Sequence, residues 1–237
     1  MMYDSEQSST ATQNRLLAAL PPKEYEKLAP HMEKVSFEQG QVLYEQNEPI
    51  EYIHFPLNGV VSMVVITQTG ASVEVGLVGR EGFVGFQPLL GTKSAQNRAI
   101  SQIPGHTLRI KSETLKKEFD LEGSLQTILH RQLQSQIVQM SQGAACNRLH
   151  EVNERLARWL LMMHDRVEFD KLPLTHEFLS QMLGANRATV SLTAGVFQQA
   201  SLIRYARGTI TILDREGLEE IACECYQIVK AEFDLEA

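Results

Sequence analysis

Leu174-Thr-His-Glu-Phe-Leu-Ser-Gln-Met-Leu-Gly-Ala-Asn-Arg-Ala-Thr-Val-Ser-Leu-Thr193 reads as two short helices joined by a tight turn. Thr175 is placed to cap the first helix, and Glu177 falls in the first turn, where the positive end of the helix dipole favours a carboxylate. Phe178, Leu179, Met182 and Leu183 recur at helical spacing and supply an apolar face. Gly184 then allows the left-handed backbone needed to turn sharply into a second helix that starts near Asn186. Val190 anchors that helix inward, which leaves Asn186, Arg187, Thr189 and Ser191 outward in its first turns. The pattern is a helix-turn-helix, whose second helix meets base edges and phosphates. Arg187 suits a bidentate contact to guanine, worth about 1–3 kcal/mol of discrimination. For this stretch alone, a plain helical hairpin with a solvated Arg187 is the alternative.

The next stretch weakens that alternative. Leu202-Ile-Arg-Tyr-Ala-Arg-Gly-Thr-Ile-Thr-Ile-Leu213 is two β-rich runs around Arg207-Gly208, a hairpin signal. It predicts a wing that carries Arg204, Tyr205 and Arg207 beside the second helix. With Thr175, Asn186, Arg187, Thr189 and Ser191, these form the expected DNA-binding set. Charge agrees with this reading. From Lys171 to Ile212 there are four cations to one carboxylate, a net +3, which leaves −10 on the rest of a chain whose formal charge is −7. A basic module on an acidic body is what docking of one end on phosphates requires.

The chain's 237 residues allow one or two domains with a large core. No apolar run reaches the length of a membrane span, and Met1 to Gln13 is polar and acidic rather than a signal peptide, so a cytoplasmic protein is expected. Cys146, Cys223 and Cys225 are an odd count with a close Cys-x-Cys pair, read as reduced thiols with no metal and no cofactor. The seven histidines form neither His-x-His nor His-Glu-x-x-His, and no Gly-x-Ser-x-Gly elbow occurs, so an enzyme is not expected.

Upstream, residues 1–14 are read as a disordered lead-in. Between Val35 and Ile110 brief β-rich runs alternate with turn residues: 41–44, 52–55, 59–66, 72–75 and 106–110. Such spacing means antiparallel strands in a sandwich or roll, assigned to 15–120. Inside it Gly76, Gly79, Gly82 and Gly85 recur every third residue, which suits tight turns or close approach to an anion. Ser112 is a candidate cap for a following helix. Over 121–147, Leu125, Leu129, Leu133 and Ile137 recur at four-residue spacing, with Met140 beside them. That stripe needs a cover, either a second copy of the same helix or the chain's own β domain; the first is taken, as a dimerisation helix. Residues 148–237 form the remaining domain. Its next helix has Leu156, Trp159 and Leu160 inward and Arg148, Arg155 and Arg158 polar; a linker follows at 168–171, and Asp214 caps a last helix.

The whole is an α+β chain: an antiparallel β-roll, a long helix and a winged helix-turn-helix. This order resembles the Crp/Fnr family of bacterial transcriptional regulators. The specific matches are Gly40-Gln-Val-Leu-Tyr-Glu45, Ile53-His-Phe-Pro-Leu-Asn-Gly59, Asn186-Arg-Ala-Thr-Val-Ser191 and 202–214. The resemblance implies a cyclic-nucleotide-binding-like double-stranded β-helix that senses a signal, a homodimer, and a near-palindromic promoter site in double-stranded DNA, with RNA polymerase as a further partner. It places an effector pocket near Gly79, Arg80, Gly82, Gly85, Phe86, Asn97 and Arg98. Two departures follow. Where cyclic-AMP-binding members have an acidic residue for the ribose this chain has Phe86, and their Arg-Ser or Arg-Thr pair for the phosphate falls near Asn97 and Arg98. Cyclic AMP is therefore not the expected ligand, and an unidentified small-molecule effector or constitutive binding controlled by abundance remain. The iron–sulfur members' N-terminal cysteines have no counterpart before Cys146.

Overall fold

Strand β4 (Val60–Ile66) is apolar along nearly its whole length because both of its faces are covered. Val61 and Met63 pack inside the roll with Tyr44, Val78 and Ala99, whereas Val60 and Val64 pack outward in a cluster shared with the C-terminal domain. The computed structural model describes residues 13–167 and 169–234. One sheet has the order β1-β7-β3, from β1 (Glu33–Phe37), β7 (Gly105–Lys111) and β3 (Tyr52–Pro56). The other has the order β2-β6-β4-β5, from β2 (Val42–Tyr44), β6 (Arg98–Ile103), β4 and β5 (Ser72–Val78). All pairings within both sheets are antiparallel.

The five expected strands are present, and two differences matter. The central β6 carries no strong sequence signal, because Ser101 and Gln102 are buried in it as polar residues. Strand β5 runs through Gly76 to Val78, so Gly76 is a packing glycine rather than a turn; a Cβ there would meet Met63 Cε at 2.6 Å.

Most of the expected lead-in lies outside the described residues, but Asn14 does not belong to a loose tail. It is fully buried, its side chain accepts from the Leu17 N–H at 3.2 Å, and its amide donates to the carbonyls of Pro56 and Gly82 at 2.8 and 3.0 Å. It starts α1 (Arg15–Ala18), and α2 (Pro22–Leu28) follows. Ser112 begins α3 (Ser112–Phe119), yet its hydroxyl donates to the Ile50 carbonyl at 2.8 Å instead of capping the helix.

The long helix is α4 (Ser124–Leu149). Its cap comes from another helix: the Glu24 carboxylate of α2 accepts from the N–H groups of Leu125 and Ser124 at 2.8 and 3.2 Å, and the Leu125 bond holds that carboxyl below its ordinary pKa. The apolar stripe is covered by the chain's own roll, which corrects the expected dimer seam. Leu125, Leu129 and Leu133 are buried with Phe55, Phe83 and Ile110, and Met140 packs against the roll interior. Ile137 alone of the five points to solvent, at 57% exposure. Further along, glutamines replace leucines on the inner face: Gln136 donates to the Phe83 carbonyl at 2.9 Å, and Gln139 both donates to and accepts from the Leu77 backbone.

His150 and Glu151 are extended and separate α4 from α5 (Val152–His164). Arg155 and Arg158, expected on a solvent face, are buried; Arg155 donates to the Leu183 carbonyl and so closes the end of the next helix. The C-terminal domain continues with β8 (Lys171–Leu172), α6 (His176–Leu183), α7 (Arg187–Gln199), β9 (Ile203–Ala206) and β10 (Thr209–Ile212). The expected linker thus ends in a strand, in the sheet β8-β10-β9. The expected last helix is two, α8 (Arg215–Ile221) and α9 (Cys225–Asp234), because Ala222 is extended. No helix among the described residues is long and apolar enough to cross a membrane.

Candidate nucleic-acid interface

Helix α6 begins at Thr175, whose hydroxyl accepts from the Phe178 N–H at 3.2 Å, and ends at Gly184, whose φ of 56° turns the chain. Asn186 caps α7 by accepting from the Ala188 N–H at 2.8 Å. Val190, Ala194 and Phe197 are buried and fix α7 against α6 and α5. The opposite face is open: Arg187, Ala188 and Thr189 are exposed in the first turn, and Leu192 and Val196 continue the face at 73% and 61% exposure. Two large apolar side chains are thus held in water beside an arginine, at helical spacing from Ala188 that is visible in the sequence.

The wing pairs Thr209 with Ala206, so its turn consists of Arg207 and Gly208 alone. Both have positive φ, 50° and 76°, as the two central positions of a type I′ hairpin require. Arg204 and Arg207 are exposed.

The eight expected DNA-binding residues divide into two groups. Thr175, Asn186, Arg187, Thr189, Arg204 and Arg207 are exposed on the helix-turn-helix and wing. Ser191 and Tyr205 are half-buried and engaged internally: Ser191 Oγ is 3.0 Å from His176 Nδ1, and the Tyr205 ring stacks on His176 at 4.0 Å. His176 thus ties the start of α6 to both α7 and the wing; burial, with Arg187 nearby, lowers its pKa. Arg187 also has a partner that sequence reading missed, since Glu177 lies 3.1 Å from its guanidinium in an exposed ion pair.

The expected effector residues do not converge. Gly79 backs onto Glu81 and Arg166, and Gly82 onto Gln132 of α4; a Cβ at either would lie under 3.0 Å from those side chains. Gly85 has a φ of 88° and packs beside Tyr52 and Ile50. Phe86 is half-buried between two apolar clusters. Asn97 accepts from the Tyr44 hydroxyl at 2.9 Å, and Arg98 is paired with Glu45 at 2.8 Å. Arg80 lines a different cleft of about 170 Å³, with Arg15, Arg166 and Phe233.

Roll and C-terminal domain meet along a seam. Trp159 Nε1 donates to Glu74 at 2.7 Å, and the Ser62 hydroxyl donates to the same carboxylate. Burial raises the Glu74 pKa to about 7, against those hydrogen bonds and the charges of Arg158 and Arg166. Nearby, Glu81 and Arg166 form a buried ion pair at 2.7 Å.

Residues 34–121 match the model of the cyclic nucleotide-binding domain, and residues 154–221 that of the Crp-like helix-turn-helix domain. The global nitrogen regulator of Synechococcus elongatus is 22% identical over 194 residues, covering 78% of this chain and 87% of its own length. The transcriptional regulator SdrP of Thermus thermophilus is 26% identical, with 80% of this chain and 94% of that protein covered. Among solved structures, FixK2 from Bradyrhizobium japonicum has the same fold, with a TM-score of 0.70 at 17% identity over 81% of this chain and 98% of that one. A putative regulator of the crp/fnr family from Eubacterium rectale also gives 0.70, at 16% identity over 89% and 98%.

Proposed function

Because the chain belongs to the Crp/Fnr family of transcriptional regulators, we propose that it works as a cytoplasmic homodimer that lays α7 of each subunit into successive major grooves of a near-palindromic site. The observation that carries this reading is the open face of α7. Arg187 at its first turn would read a guanine edge, and Leu192 and Val196 would meet thymine methyl groups, a contact that accounts for apolar residues kept in water. Arg204 and Arg207 of the wing, with Thr175, would hold phosphates. The Glu177 pair must open for Arg187 to reach a base, which costs little for an exposed pair. RNA polymerase is the expected further partner.

For dimerisation we assign the outward face of α4. Thr127, His130, Gln134, Ile137, Ser141, Ala144 and Arg148 are all exposed and alternate in steps of three and four, the spacing of a coiled-coil seam. Ile137 is its apolar contact, and Ala144 allows close approach.

On the roll, two observations favour a second reading over a nucleotide switch. Arg98 is held by Glu45, and Gly79 and Gly82 face packed side chains rather than a shared space. In this reading DNA binding needs no cyclic nucleotide and is set by abundance or another signal.

Genome-wide recovery of bound fragments tests the main reading. An enriched motif with two-fold symmetry and half-sites about 34–36 Å apart is expected. A monomer that holds every duplex equally weakly overturns it. Thermal shift with a nucleotide panel separates the two control schemes, since stabilisation by any member restores the ligand switch.

A further inference from the structure

Three cysteines and a histidine, far apart in sequence, meet at the far end of the long helix. Cys146 lies in the last turn of α4 and His150 is the residue that ends it, while Cys223 and Cys225 lie at the break between α8 and α9. All three cysteines are free and buried. Cys146 Sγ is 3.4 Å from Cys223 Sγ, and Cys225 Sγ is 3.6 Å from His150 Nδ1. One ligand atom from each of the four lies within 4.8 Å of every other.

These separations suit one metal ion. Tetrahedral bonds of about 2.3 Å to sulfur and about 2.0–2.1 Å to nitrogen place neighbouring ligand atoms about 3.5–3.8 Å apart. A cluster of irons and sulfides would interpose further bonds between the thiolates and hold them well beyond 4.8 Å, so the arrangement favours a single ion over an iron–sulfur centre.

Two further observations point to the same ligand. While His150 offers Nδ1 to the thiols, its Nε2 lies 3.4 Å from the Glu224 carboxylate, the carboxylate–histidine–metal order that fixes a ligating tautomer. Arg155 and Arg158 are buried beside the cluster, and the Nε atom of each has no hydrogen-bond acceptor among the described residues. Three thiolates around a divalent ion leave one negative charge, which gives these guanidiniums a counter-ion.

We propose that Cys146, His150, Cys223 and Cys225 bind one zinc ion in a closed four-coordinate site that staples the end of the long helix to the C-terminal helix. Each thiol releases its proton to solvent as the ion binds. The ligands straddle two chain breaks, α4 to α5 and α8 to α9, so the ion fixes the angle at which the DNA-binding domain leaves the long helix. The site lies outside the roll and has no open position, which makes it structural rather than catalytic.

The test is the full chain purified under reducing conditions, with its zinc measured and then replaced by cobalt(II). About one metal per chain is expected, with an intense thiolate-to-cobalt charge-transfer band and the visible bands of tetrahedral cobalt. Cys225→Ser should lose the metal. His150→Cys should keep it with a stronger charge-transfer band, and Glu224→Gln should bind cobalt about 10–100-fold more weakly. Should the serine variant fail to fold, the wild-type spectrum and these last two variants decide. A metal-free chain that takes up cobalt without a charge-transfer band overturns the proposal, and so does a Cys146–Cys223 disulfide that forms unhindered in excess zinc.

Discussion

Helices α4 and α7 resolve amphipathicity in opposite ways. In α4 the apolar stripe is consumed by the chain's own roll, and what faces outward is a seam of polar and small residues around Ile137. In α7 three buried residues suffice as an anchor, and Leu192 and Val196 are left in water. The difference teaches that a stripe reports burial without naming its cover, whereas an unfilled stripe on a well-anchored helix reports a missing partner.

Substitutions on the two helices can break or sharpen that contrast. The largest effect is expected for Leu129→Ala, which empties a position only 1% exposed and should cost about 2–5 kcal/mol in urea unfolding. Ile137→Glu should leave the folded subunit within about 0.5 kcal/mol yet shift sedimentation toward monomer. If Leu129→Ala instead dissociates a fully stable subunit, the roles of the two faces are reversed. On α7, Arg187→Ala should remove about 1–3 kcal/mol of discrimination at one base pair per half-site, read by competition among mutated sites. An unchanged ranking of those sites refutes base reading by Arg187. Arg204→Ala should instead weaken binding evenly and reduce the salt slope by about one. The smallest effect belongs to Glu177→Gln, which frees Arg187 and should strengthen binding by no more than about 1 kcal/mol.

The seam beneath α6 adds a pH dependence. Glu74 titrates near 7 in the fold because of burial, against an ordinary value of 4.5, so between these values the folded chain holds more protons than the unfolded one. Its contribution is complete below 4.5 and is lost as pH rises through about 7. Buried His54 acts the other way: burial pulls it from 6.5 to about 4, and its contribution, present above 6.5, is lost as pH falls through about 4. Glu74→Gln should flatten the decline in unfolding midpoint between about pH 5 and about pH 8, and an unaltered slope would assign the decline elsewhere.

The helix-turn-helix was legible because its signals are local: a cap at Thr175, a glycine at 184 and a two-residue hairpin turn each act within a few residues. The identity of the partner across α4 was not legible, since Leu125, Leu129 and Leu133 show the same spacing whether a roll or a second helix covers them. Burial of Arg155 and Arg158 was equally hidden, because what they answer to, the end of α6 and the cysteine cluster, is remote in sequence. Cys146 and His150 did leave a trace, a Cys-x-x-x-His spacing that puts both on one helix face. Only the fold brings the Cys-x-Cys pair to it.

The tip of the wing shows two demands that no single side chain meets. Arg207 holds a left-handed backbone that disfavours every residue with a Cβ, by about 1–2 kcal/mol. Glycine would relax the turn and toughen the hairpin while removing its outermost cation. Engineering this molecule for heat resistance and engineering it for grip on DNA therefore pull position 207 in contrary directions.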